Sequence, residues 1–283
     1  MINQNLAISK KERITNWIFE IVMILLACMV LLPIYYLFVT TLKTQQEATL
    51  NPFGLPNHIS ISGYINAWNT MRYPRAFMNT LTITMCSVSG IVIITSMAAY
   101  TLARRNNKLN KFIFMFLLAG IMVPYQVSII ALYKMVIYLH LMNKLYGVII
   151  IVISLNLPMA TFLFKNFINT IPIELEEAAA IDGAGIMRIF WQITFPLLKP
   201  VMATVIILDT LTVWNDFMTP LLFLQDRKNS VILMEVFRNV GQFSTDWTST
   251  FPMLVLGILP LLIFYIFMQK YIIKGVASGS VKG

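Results

Sequence analysis

The chain has 283 residues, 58% of them hydrophobic and 12% charged, with a formal net charge of +9. Soluble domains carry about 25% charged residues, so this composition excludes an ordinary soluble domain and points to an integral membrane protein. The positive charge does not indicate nucleic acid, because no basic patch is interleaved with exposed aromatics; basic residues that anchor and orient spans account for it.

Six apolar runs follow along the chain, each long enough for a hydrocarbon core of about 30 Å. They cover Trp17 to Leu42, Phe77 to Leu102, Phe112 to Tyr133, Leu145 to Phe164, Pro200 to Leu224 and Phe251 to Met268. Pro33, Pro124, Pro158 and Pro260 fall inside runs, which membranes tolerate because neighbouring helices re-satisfy the freed carbonyls. The first run exceeds the 7–15 residues of a signal-peptide core and no small-residue cleavage site follows it, so it is expected to remain as an anchor. Cys28 and Cys86 lie inside runs and are expected to pack as small core hydrophobes. His58 and His140 have no Cys, Asp or Glu at ligand spacing, so no metal site is expected.

Orientation follows from Lys and Arg. With the N-terminus inside, 13 of the 21 basic residues are cytoplasmic, including Lys10, Lys11, Lys274, Lys282 and the cluster Arg104, Arg105, Lys108 and Lys111. Both termini are then cytoplasmic. The outer loops are Lys43–Ala76, Lys134–Lys144 and Gln225–Thr250, and the first and third, which carry Trp68 and Trp247, are expected to be ordered.

Between the fourth and fifth runs lies a polar insert, residues 171–200. Pro172 suits a first helical position, and Glu174, Glu176 and Glu177 crowd a first turn, where the helix dipole favours negative charge. Ala178, Ala179 and Ala180 are strong helix formers of little bulk. Asp182-Gly183 supplies a turn, with Gly183 free to take positive φ. A second amphipathic piece follows, with Ile186, Ile189, Phe190 and Ile193 on one side, and Phe195-Pro196 closes it. Two readings fit: a helix-turn-helix that touches a soluble partner, or an amphipathic loop at the headgroup level.

The fifth run carries Asp209 and Asp216, seven residues apart and so expected on one helical face. Carboxylates at membrane depth normally face a bundle interior or water. With Trp214 and Asn215 they form a candidate pathway that would suit a sugar, whose hydroxyls need polar partners and whose C–H faces stack on aromatics. Alternatively, Asn215 and Asp216 hold helices together near the outer end. The hydroxyls of the second run, from Thr82 to Ser96, read as small packing residues or water-facing hydroxyls rather than a specific site. No GxxxxGK[ST], HExxH or GxSxG occurs in the sequence, which gives no basis for nucleotide binding or catalysis by this chain.

Glu177-Ala178-Ala179, then Gly183, then Ile193-x-x-Pro196 resembles the EAA motif of bacterial ABC importer permeases, with Phe195 where that family has Leu. Further blocks are similar to its carbohydrate-uptake, maltose-type branch: AAYTLARR at Ala98–Arg105, MVPYQVSIIALY at Met122–Tyr133, VWNDFMTPLLFL at Val213–Leu224 and QKYIIKGVASGSVKG at Gln269–Gly283. The resemblance implies an all-α membrane protein with six transmembrane helices, the type I importer fold, a family core at about 77–272, an N-terminal anchor span at 17–42, a cytoplasmic coupling element at 171–200 and a tail at 269–283 that reaches toward the ATPase, all in one permease domain over 1–283. It implies that Glu177, Ala178, Ala179, Asp182, Gly183, Ile193 and Pro196 form the joint to an ATPase. The implied partners are a second homologous permease, two ATPase subunits and an extracytoplasmic solute-binding protein, in a bacterial plasma membrane. ATP and Mg would be bound by the ATPase and no cofactor by this chain, a non-catalytic subunit. The expected cargo is a sugar, with glycerol phosphate or another polyol as the alternative. A stand-alone secondary transporter is the competing class; it would need its own ion-coupling carboxylates and usually an internal repeat.

Overall fold

The computed structural model describes residues 10–240 and 246–280, with side chains described over 13–240 and 246–270. The expected cytoplasmic cations Lys10, Lys11 and Lys274 lie outside the described side chains, and Lys282 with the end of the expected tail lies outside the described residues.

Among the described residues all regular structure is helical. In chain order the helices are α1 (Lys10–Thr41), α2 (Gln45–Leu50), α3 (Ser62–Thr70), α4 (Tyr73–Arg104), α5 (Lys108–Ile121), α6 (Tyr125–Tyr138) and α7 (Leu145–Ile168). Then come α8 (Glu174–Ile181), α9 (Ile186–Ile189), a π turn (Phe190–Thr194), α10 (Phe195–Leu197), α11 (Lys199–Trp214), α12 (Met218–Phe223), α13 (Ile232–Arg238) and α14 (Trp247–Ser280).

Four of these, α1, α4, α7 and α14, are long and apolar enough to cross a membrane, and the number reaches six when each of two bent pairs is taken as one span. Pro33 and Pro158 sit inside unbroken helices, as expected. Two expected runs differ. The third is broken: α5 and α6 meet at 107°, because Pro124 caps α6 in extended backbone (ψ 135°) and disfavours helix in the residue before it. The fifth stops at Trp214, leaving α12 as a separate piece, and its start is bent by 74° from the segment before it. The last helix, α14, continues to Ser280, into the expected tail segment.

The chain forms two compact units. The first comprises residues 1–70 and 240–255. There the Lys43 ammonium is buried and donates to the carbonyls of Asn51 (2.6 Å) and Pro52 (3.3 Å), while Tyr36 packs on Phe53 and edge-on against Phe251. The most apolar window of α1 contains no buried residue.

The second unit comprises residues 71–239 and 256–283. Its heart is the long pairing of α4 with α7, joined by α11. The two helices approach closely at Gly90, where a Cβ would come within 2.6 Å of Ile153; small residues permit such approach where no hydrophobic force draws spans together. Two apolar clusters fill this unit. One includes Ile83, Val152, Val213 and Phe223; the other includes Ile91, Ala160, Phe164 and Val205. Cys28 and Cys86 are exposed rather than packed in a core. Lipid is as apolar as a core, so an apolar run does not reveal which of its residues turn inward.

Candidate functional site

The polar insert folds as α8, a turn, α9, the π turn and α10. α8 ends in a Schellman cap: the Ala184 N–H donates to Ala179 O (2.9 Å) and the Gly183 N–H to Ala180 O (3.0 Å). Gly183 supplies the left-handed residue at φ +81° with nothing within 4 Å of an added Cβ, as this cap requires. The helix-turn-helix expectation therefore holds at the backbone.

The three first-turn carboxylates have different surroundings. Glu176 is buried and its Oε1 accepts from Arg104 Nε (3.0 Å), Arg104 Nη2 (2.9 Å) and Thr194 Oγ1 (3.0 Å). Tyr100 donates to its Oε2 (3.0 Å), and Arg104 also donates to Ile171 O (3.1 Å). This cluster ties α8, the π turn and the end of α4 together. The π turn brings Thr194 inward, and Phe190 packs against Tyr100, Trp191 and Phe195 beside it. Single π turns of this kind are frequent at functional sites. The sequence reading missed Arg104, Tyr100, Glu176 and Thr194 as a group; their separation along the chain left no local signal.

Glu177, Ala178, Asp182 and Gly183 are exposed and Ala179 is half-buried. Ile181 is 87% exposed, with Ile186 at 58% and Met187 at 57% beside the same turn. The outward surface is thus a small apolar patch with carboxylates around it. Ile189 and Phe190 turn inward as expected, but Ile186 does not. Ile193 is half-buried and Pro196 exposed.

The candidate pathway residues do not converge. Asp209 and Asp216 do not share a helical face, because α11 ends at Trp214 and Asn215 is its cap. Asp216 instead accepts from the Thr219 N–H (3.0 Å) at the start of α12 and borders a cavity of about 580 Å³ together with Tyr125, Asn156 and Thr212. Trp214 donates to Gly257 O (3.1 Å) and lines a different, mostly apolar cavity of about 710 Å³ with Phe77, Thr84 and Pro260. The Asn215 amide returns to Leu211 O (2.8 Å). Asp209 is buried on α11, one turn from Val205 and one from Val213, so it lies between the two apolar clusters. Its Oδ2 and the Ser87 hydroxyl find no hydrogen-bond partner among the described residues.

The segment after α12 is ordered over Gln225–Asn239, in line with the expectation for the third outer loop; residues 241–245 of that loop lie outside the described residues. Buried Glu235 pairs with Arg227 (3.0 Å) and Arg238 (3.4 Å), and the Asn79 amide donates to Lys228 O and Ser230 O.

Residues 90–278 match the family described as "Binding-protein-dependent transport system inner membrane component". The chain is 36% identical over 260 residues to the melibiose/raffinose/stachyose import permease protein MelC of Bacillus subtilis (strain 168), covering 92% of this chain and 94% of that protein. It is 33% identical over 281 residues to the multiple sugar-binding transport system permease protein MsmG of Streptococcus mutans serotype c, covering 96% and 100%. Among solved structures, it superposes on a chain of a bacterial ABC transporter involved in the import of the acidic polysaccharide alginate, with a TM-score of 0.85 at 22% identity, covering 93% of this chain and 98% of that one.

Proposed function

Because the chain belongs to the family of binding-protein-dependent transport system inner membrane components, we propose that it is a permease subunit of an ATP-driven importer for a sugar or oligosaccharide. It is a multi-pass membrane subunit that does no catalysis itself. Its partners are a second homologous permease, two ATPase subunits that bind ATP and Mg, and an extracytoplasmic protein that delivers the cargo. The observation that carries this reading is similarity along nearly the whole chain to permeases named for sugar uptake.

The exposed patch around Gly183 is the joint to the ATPase in this reading. It combines outward apolar side chains at Ile181, Ile186 and Met187 with carboxylates at Glu177 and Asp182, a surface that favours a protein groove over water. Motion of the ATPase dimer displaces this element. Because Glu176 clamps it to Arg104, the displacement reaches α4 and α7, and the permease pair alternates between inward- and outward-facing states, as rigid-body rocking does in other transporters. Both termini and the patch face the cytoplasm.

The test is co-purification and coupling. A tagged form of this chain brings down a second permease and an ATPase, and the cargo-loaded binding protein stimulates ATP hydrolysis. Gly183→Pro, which replaces φ +81° by about −65° and removes the N–H that donates to Ala180 O, abolishes the stimulation or releases the ATPase while the spans still insert. Cargo uptake by this chain alone in proteoliposomes without ATP would overturn the reading.

A further inference from the structure

We infer that this protein holds the headgroup of an anionic phospholipid in a basic pocket at the Arg104 end of the second unit. A cavity of about 380 Å³ lies where α4 ends, α5 begins and α7 ends, and Arg105, Lys111 and Lys165 line it with the amides of Asn106 and Asn169. No carboxylate lines this cavity, and among the described residues none of the three cations takes part in an ion pair. The neighbouring Arg104 differs, being engaged by Glu176.

Lys165 is the informative member. It is half-buried, and its Nζ sits 4.0 Å from the centre of the Phe114 ring. A ring face attracts an ammonium but supplies no lone pair for its three N–H donors. A phosphate oxygen would supply that acceptor, and Arg105 and Lys111 add charge of the same sign to hold it. The pocket is stiffened from below. Asn107 caps α5 by accepting from the Asn110 N–H (2.7 Å), and the Asn110 amide donates to Arg105 O (2.8 Å) and Thr101 O (3.3 Å).

The surroundings select a lipid over a soluble phosphate. Phe114 and Met115 form an apolar wall, and Phe112, Met115 and Phe116 beside it are 67%, 69% and 70% exposed along α5. An acyl chain can lie on that strip while its phosphate reaches the cations. The pocket stands at the polar end of apolar helices, where headgroups lie, and basic pockets between spans are suited to anionic headgroups.

The experiment places a reporter in the pocket. Phe114→Trp keeps the aromatic face for Lys165, and the assembled complex carrying it is reconstituted in vesicles containing brominated phosphatidylglycerol or brominated phosphatidylcholine. The signal of the parent complex without this substitution is subtracted. The expected result is stronger quenching by phosphatidylglycerol, with the preference falling about fivefold for each of Arg105→Gln, Lys111→Gln and Lys165→Gln. Met115→Trp serves as reporter if Phe114→Trp does not assemble. Equal quenching by the two lipids overturns the proposal, as does a preference untouched by all three substitutions. Loss of the preference on adding inorganic phosphate also overturns it, since the pocket would then take a soluble anion.

Discussion

Glu176 and Glu177 are neighbours in sequence and opposites in role. They stand about 100° apart around α8, so when one turns inward the other faces out. Removing Glu176 leaves Arg104, whose side chain is 14% exposed, without its carboxylate; breaking a buried pair in this way costs about 3–5 kcal/mol. Glu176→Ala should therefore lower the melting temperature and yield of the purified complex. Glu177→Ala should leave melting unchanged, since exposed substitutions shift stability by about 0.5 kcal/mol or less, yet reduce stimulation of the ATPase. Equal melting of the two variants would contradict the clamp. An acidic first turn was legible in the sequence; which carboxylate faces in was not, because the partner that decides it lies 72 residues away.

Some elements in this chain begin or end on caps that local sequence reveals. Gly183 was readable as a left-handed turn residue before any contact was known, and Asn107 closes α5 through its own side chain. Asp246 does the same for α14: its carboxylate accepts from the Thr248 N–H (3.0 Å), the Thr248 hydroxyl (2.7 Å) and the Ser249 hydroxyl (2.6 Å). Desolvation raises the Asp246 pKa, but these hydrogen bonds outweigh it and hold the group below its ordinary value. A depressed carboxylate stabilises the folded form above its unfolded pKa and loses that contribution as pH falls through the folded one. Hydrogen exchange at residues 247–250, expressed relative to the intrinsic rate at each pH, should thus be flat from neutral pH to about 4 and rise only in stronger acid. Asp246→Ala should raise it at neutral pH by about tenfold, the worth of one cap. The breaks at Pro124 and Trp214 were less legible. A proline in an apolar run signals a kink, a bend or nothing, as Pro124, Pro33 and Pro158 show, and the packing around each decides.

At the scale of the molecule, the membrane class and the six apolar runs were plain from composition, because spanning a bilayer constrains length and polarity together. The facing of each run was not, since lipid and core accept the same side chains, and Cys28 and Cys86 were misjudged for that reason. The proposed orientation can be read by labelling. In a background with Cys28→Ser and Cys86→Ser, Lys228→Cys should react with an impermeant maleimide in intact cells, and Lys108→Cys only after permeabilisation; the reverse pattern would place the termini outside. Finally, α1 has no buried residue in its most apolar window, whereas Thr40 and Thr41 at its far end, and Lys43 just beyond it, are buried. Mechanically it is a rod pinned at one end. Swinging its apolar window aside would uncover no buried side chain of that window, so the resistance to that motion comes from whatever fluid or neighbour bathes it. The first helix is therefore where the surroundings, more than the fold, set the stiffness of the protein.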